Sequence, residues 1–138
     1  SSCSFVRKND DRGGIVIAYL DASIILRIVL RQPAPLAGWR KLKHAVASAL
    51  TEVECLRTLD RLVQLHQLTE EELAPRRVAV YELLESVEVV SIGSPVLRRA
   101  SQSFPAPLGT LDALHLATAM SWRDTRGEEM VFATHDRA

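Results

Sequence analysis

IVIAYLDAS, residues 15–23, decides how the rest of the chain is read. Its first six residues are apolar and rich in β-branched side chains, and they are bounded by Gly13-Gly14 on one side and Asp21 on the other. A short run that is apolar at every position suits a strand buried on both faces of a parallel sheet. The stretch is therefore taken as the central strand, with Asp21 at its carboxyl tip.

Helices and further strands extend outward from it. ASIILRIVLR (22–31) reads as a helix with Arg27 and Arg31 one turn apart, stopped by Gln32-Pro33-Ala34-Pro35. PLAGWRKLK (35–43) has the pattern of a short amphipathic helix and HAVA (44–47) that of a brief strand. Ser48 or Thr51 is then expected to cap a long helix, in which Leu50, Val53, Leu56, Leu59, Leu62, Val63 and Leu65 recur at spacings of three and four. Thr69 and Glu72 form a capping box opening residues 69–87, with Pro75 expected to kink or restart that helix. VEVVSI (87–92) is a strand, and SPVLRRASQSF (94–104) a helix with Pro95 at its first position. TLDALHLATAMSW (110–122) is an apolar helix with Thr110 as its cap, and MVFATH (130–135) the last strand. Strands alternating with helices, without hairpin signals, imply right-handed crossovers. The expected fold is a three-layer α/β/α domain with a central parallel sheet.

At 138 residues the chain is long enough for one domain with a core. Hydrophobic residues at 47% and charged residues at 25% exclude a disordered or fibrous class. Seventeen basic residues balance seventeen acidic ones, so no global basic footprint marks a nucleic-acid binder and any such contact must be local. Cys3 and Cys55 do not make a disulfide or zinc framework, which fits a cytoplasmic protein. Residues 1–14, polar and ending in Gly-Gly, read as a flexible extension or cloning remnant, with the domain spanning 15–138. No apolar stretch reaches the roughly 18 residues of a membrane span.

In parallel sheets with crossover helices, functional groups collect beyond the carboxyl ends of the strands. Asp21 follows IVIAYL and Asp136 follows MVFATH, so both fall on that edge. Glu54 lies about one turn into the helix after HAVA, and Asp112 two residues after Thr110; both are expected to reach the same edge. Taken singly, an acid in a first turn complements the helix dipole for about 0.3–1 kcal/mol and needs no other explanation. Taken together, four carboxylates in apolar surroundings require a compensating cation. An all-oxygen set without cysteine suits Mg²⁺ or Mn²⁺, ions that activate water for attack on a phosphodiester.

YLDAS (19–23), SALTEVE (48–54), LDALHLATA (111–119) and ATHD (133–136), in this order and at these separations, resemble the PIN-domain ribonucleases, most closely the VapC toxins of toxin–antitoxin pairs. The resemblance runs from about Ile15 to the end. It implies a metal-dependent endoribonuclease that cleaves RNA, inhibits translation, forms homodimers and is neutralised by a cognate VapB-like antitoxin. The family's acids map onto Asp21, Glu54, Asp112 and Asp136, and its supporting hydroxyls onto Ser23 and Thr134. Glu54 is preferred to Glu52 because the family spacing from Ser48 and Thr51 selects it; residues two apart on a helix point about 200° apart, so only one of the two faces the site. The family normally continues beyond the last acid with another helix and often a final edge strand, so the resemblance leads to the expectation that a last αβ unit is missing here.

Other residues allow other roles. His115 and His135 beside these acids would make a mixed site for Zn²⁺ or Mn²⁺, although a lone histidine on an apolar helix is more often a hydrogen-bonded core residue. Arg27, Arg31, Arg40, Lys41, Lys43, Arg57 and Arg61 are candidates for phosphate contacts, with solvated faces the commoner role; Arg57 is also placed to bridge to Glu54, and Trp39 to stack a base. The helix pair 51–66 and 69–86 is a candidate surface for a partner helix or a second subunit. A PIN-fold nuclease of RNA maturation without toxicity and a non-catalytic binding domain are the alternative functions. A phospho-acceptor receiver fits poorly, because Asp21 stands alone and no lysine follows Lys43.

Overall fold

The computed structural model describes residues 2–6, 16–30, 42–127 and 131–136, and the side chains of 17–30 and 44–127. One sheet holds β1 (Ser2–Val6), β2 (Val16–Leu20), β3 (Leu42–Ser48), β4 (Glu88–Val90) and β5 (Val131–Asp136), in the order β1-β5-β2-β3-β4. The last four strands of that order run parallel, with β2 central as its unbroken apolar run requires. Two expectations are corrected at the edge. Ser2–Val6, read as part of a flexible extension, pairs with β5, and this pairing is antiparallel, Ser2 standing opposite Asp136.

The helices are α1 (Ala22–Val29), α2 (Leu50–Gln64), α3 (Glu70–Glu85), α4 (Ser94–Ala100) and α5 (Thr110–Arg126). Side chains alternate across β2, so Ile17 and Tyr19 face one way and Ala18 and Leu20 the other. Ile17 and Tyr19 pack with Val46 of β3 and with Ala119 and Trp122 of α5. On the opposite side α1, α2 and α3 share a cluster of Ile25, Leu26, Val29, Cys55, Leu59, Val80 and Leu84. This is the three-layer α/β/α arrangement expected. Each fully buried aliphatic side chain in it contributes about 1.5–3 kcal/mol relative to exposure.

Several local expectations meet different outcomes. Residues 42 and 43, expected to close a helix over 35–43, belong to β3; the remainder of that segment lies outside the described residues. Pro75 interrupts nothing, since α3 is continuous from Glu70 to Glu85 and the proline falls in its second turn. The capping box is present: Glu72 N–H donates to Thr69 Oγ1 at 3.1 Å, and Thr69 N–H to Glu72 Oε1 at 2.9 Å. Neither expected cap of the flanking site helices holds. The N-cap of α2 is Ala49, with Ser48 Oγ accepting the Leu50 N–H at 3.1 Å and Thr51 buried inside the first turn. The N-cap of α5 is Gly109, and Thr110 is its first helical residue.

The turn between α2 and α3 closes as a Schellman motif. His66 N–H donates to Val63 O at 3.0 Å and Gln67 N–H to Leu62 O at 2.8 Å. That geometry needs a left-handed residue, and His66 adopts it at φ 58° where glycine is usual. Helix α5 ends on Gly127 at φ 66°, the residue such a cap favours. Among the described residues no helix is long and apolar enough to cross a membrane.

Candidate active site

The carboxyl edge of the sheet gathers the ends that matter. Leu20 pairs with Ala133, so Asp21 and Thr134 succeed them side by side, and Asp136 ends β5 two residues further on. Helix α2 starts from the same edge just after β3, and α5 runs back from it toward the start of β5.

Asp21 caps α1. Its Oδ1 accepts the Ser23 N–H at 3.0 Å, the Ile24 N–H at 3.4 Å and the Ser23 hydroxyl at 2.5 Å. The capping role that an aspartate after a strand commonly plays is therefore real, and Ser23 supports the carboxylate through its own hydroxyl. Capping does not exclude a second role, because one carboxylate has about four lone-pair positions.

Glu54 lies in the second turn of α2, and its Oε1 is 2.6 Å from Nε2 of His115 on α5. Nδ1 of the same ring is 2.8 Å from the Tyr19 hydroxyl. The contact joins the helices of the two opposite layers across the end of β2. Tyr19 is fully buried and His115 nearly so. Burial pushes the Tyr19 phenol well above its ordinary range; hydrogen bonding to Thr118 and Ser48 works against this, and the negative charges of Glu54 and Asp21 reinforce it. The same two carboxylates act on Cys55, whose thiol is pushed up to about 12, mainly by burial. Asp21 and Glu54 thus share one environment. Glu52, the rival of Glu54, points outward and is exposed. Arg57, considered as a bridge to Glu54, lies instead 3.7 Å from Asp60.

Asp112 is in the first turn of α5, one turn before His115, and is exposed. Among the described residues no group of three or more His, Cys, Asp or Glu side chains is close enough to hold a metal ion. The side chains of Thr134, His135 and Asp136 lie outside the described residues, as do those of Trp39, Arg40, Lys41 and Lys43. The donor chemistry at the edge is nonetheless that of hard cations, the carboxylate oxygens of Asp21 and Glu54. His115 does not stand free as a ligand, since both ring nitrogens already have partners. Sequence reasoning left Tyr19 in the core and gave it no function. Its hydroxyl, on a residue two before Asp21 and directed to the opposite face from its neighbours, is the signal that identifies it.

The model of the PIN domain family matches residues 18–137. The chain belongs to the PIN-domain family. Ribonuclease VapC46 of Mycobacterium tuberculosis is 35% identical to it over 104 residues, 73% of this chain and 72% of that protein. This similarity puts the chain with the VapC-type PIN domains. A toxin–antitoxin complex from Klebsiella pneumoniae contains a chain with a TM-score of 0.55 to this one at 18% identity, covering 77% of this chain and 80% of that one. At that identity the likeness concerns the fold alone.

Proposed function

We propose that this chain is a metal-dependent endoribonuclease of the toxin type, a hydrolase that cleaves RNA in the cytoplasm, inhibits translation and is neutralised by a cognate antitoxin. The observation that supports it most is the pairing of two carboxylates, Asp21 and Glu54, in one environment at the carboxyl edge of a PIN-family sheet, each with an oxygen engaged by a directed donor. Asp21, Glu54, Asp112 and Asp136 would hold Mg²⁺ or Mn²⁺, which supplies activation of water and neutralisation of phosphoryl charge. Ser23 orients Asp21, and Thr134 is assigned the matching part on β5.

RNA as substrate is supported by the name of the related ribonuclease, and the antitoxin by that relative's VapC type. The surface of α2 and α3 is the proposed partner face, for the antitoxin or a second copy in a homodimer. Val53, Val78 and Tyr81 are exposed there, beside an open groove of about 370 Å³ lined by Leu56, Arg57 and Arg77.

The deciding experiment measures RNA cleavage by the purified chain with Mn²⁺, alongside Asp21→Asn. Cleavage lost in the variant supports the reading, and cleavage unaltered overturns it. One other reading is a non-catalytic binding domain. Wild-type protein that binds no Mn²⁺ would decide for it, and cleavage without growth arrest on expression would decide for a nuclease of RNA maturation.

A further inference from the structure

We propose that His115, held by Tyr19, is a positioning residue that fixes the orientation of the Glu54 carboxylate toward the metal-binding edge. The proposal rests on Glu54 being one of the acids of the nuclease reading. It goes beyond that reading by giving work to two residues which carry no oxygen or nitrogen free for a metal.

One arrangement of protons matches every donor of the neutral ring to an acceptor. An ionised Glu54 only accepts hydrogen bonds, so the hydrogen between it and His115 belongs to Nε2, which donates to Oε1 across 2.6 Å. A neutral imidazole then has its lone pair on Nδ1, and the Tyr19 hydroxyl 2.8 Å away donates to it. Every polar atom along Tyr19, His115 and Glu54 Oε1 is satisfied in this tautomer. In the opposite tautomer Nε2 and the carboxylate would face each other with no hydrogen between them. Tyr19 thus selects the ring's tautomer, and the ring selects the rotamer of Glu54.

The consequence falls on the other oxygen. Among the described residues, Glu54 Oε2 has no hydrogen-bond partner, while the side chain is one quarter exposed. One carboxylate oxygen is therefore anchored to a buried ring and the other is presented at the open edge. A flexible glutamate would otherwise lose rotamer freedom on binding a cation. The tyrosine and the ring are held by burial on β2 and α5, at 0% and 7% exposure respectively. Partners that orient a ligating carboxylate in this way change metal affinity or activity by about 10–100-fold when removed.

The test uses the whole chain and Mn²⁺ alone as probe, read by calorimetric titration, with thermal melting as a check of folding and RNA cleavage as a second readout. His115→Phe keeps the ring volume and removes both nitrogens; it is expected to weaken Mn²⁺ binding about 10–100-fold. His115→Gln, which restores a donor near the Nε2 position, is expected to recover most of that loss, and a purely structural histidine would not show this rescue. Tyr19→Phe is expected to weaken binding less than His115→Phe. Equal Mn²⁺ affinity in wild type and a folded His115→Phe overturns the proposal alone. A wild type that binds no Mn²⁺ overturns the nuclease reading and the proposal with it. Should His115→Phe not fold, nitrogen NMR of the wild type decides: a ring proton on Nε2 supports the proposal and one on Nδ1 overturns it.

Discussion

The Ser23 hydroxyl and the Ser23 backbone N–H both donate to one oxygen of Asp21, at 2.5 and 3.0 Å. The aspartate therefore has a structural part, capping α1, and a proposed chemical one, and substitutions separate them. Asn is as good a cap as Asp, whereas Ala removes the cap at a cost of about 0.5–2 kcal/mol. Asp21→Ala is expected to lower the melting temperature and Asp21→Asn to change it much less. Both are expected to lose RNA cleavage, measured on a labelled substrate with Mn²⁺.

Among the described residues, Glu88 gathers three polar partners away from the site. Its carboxylate is 2.6 Å from His44 Nε2, accepts the Trp122 indole N–H at 3.1 Å and accepts Arg126 at 3.0 Å. Partial desolvation works to raise its pKa, but these partners outweigh it and leave it below the ordinary glutamate range. A depressed folded pKa means stability that is present above the unfolded value, about 4.3, and is lost as pH falls through the folded one. Glu88→Gln is expected to cost about 1 kcal/mol near pH 7, after allowance for the exposure of its partners. Urea melts of both proteins between pH 7 and pH 3 should show that difference shrinking toward the acid end.

His66 occupies the left-handed position that closes α2, where a side chain costs about 1 kcal/mol or more. His66→Gly is expected to stabilise the protein by several tenths of a kcal/mol, the gain being reduced by the extra entropy of glycine in the unfolded chain. Gly127→Ala, at φ 66°, is expected to do the reverse. Paired thermal melts check both signs.

Cys55 is fully buried and its thiol is pushed up to about 12. At pH 8 almost none of it is thiolate, the form that reacts. Alkylation at Cys55, followed by mass spectrometry of its peptide, is expected to be very slow in buffer and rapid in urea. Fast labelling of the folded protein would contradict the packing described for α1 and α2.

How much of this was legible beforehand depended on the kind of signal. The apolar run 15–20 and the capping box at Thr69 and Glu72 are local patterns, and both were read correctly. Boundaries that depend on tertiary contact are not legible in that way: Leu42 and Lys43 follow a helical pattern, but β3 takes both, Leu42 pairing with Val16 of β2 and Lys43 standing at the register shift that follows. The N-terminal residues look like a tail because their polarity hides an edge strand, which needs only one partner and no buried face. At the site, Asp21 and Ser23 belong to one short motif, YLDAS, and are legible together. Tyr19 and His115 meet across 96 positions, a separation at which no spacing rule operates.

The pairing of β1 with β5 carries a last consequence. With β1 on one flank and β2 on the other, β5 is an interior strand, so the strand that ends on Asp136 offers no open ladder of amides to another chain. Backbone amides of Phe132 to Thr134 should then exchange with solvent among the slower ones in the protein, on the timescale of sheet opening and not of terminal fraying. Loss of Ser2–Val6 would turn the same strand into an open template for intermolecular pairing.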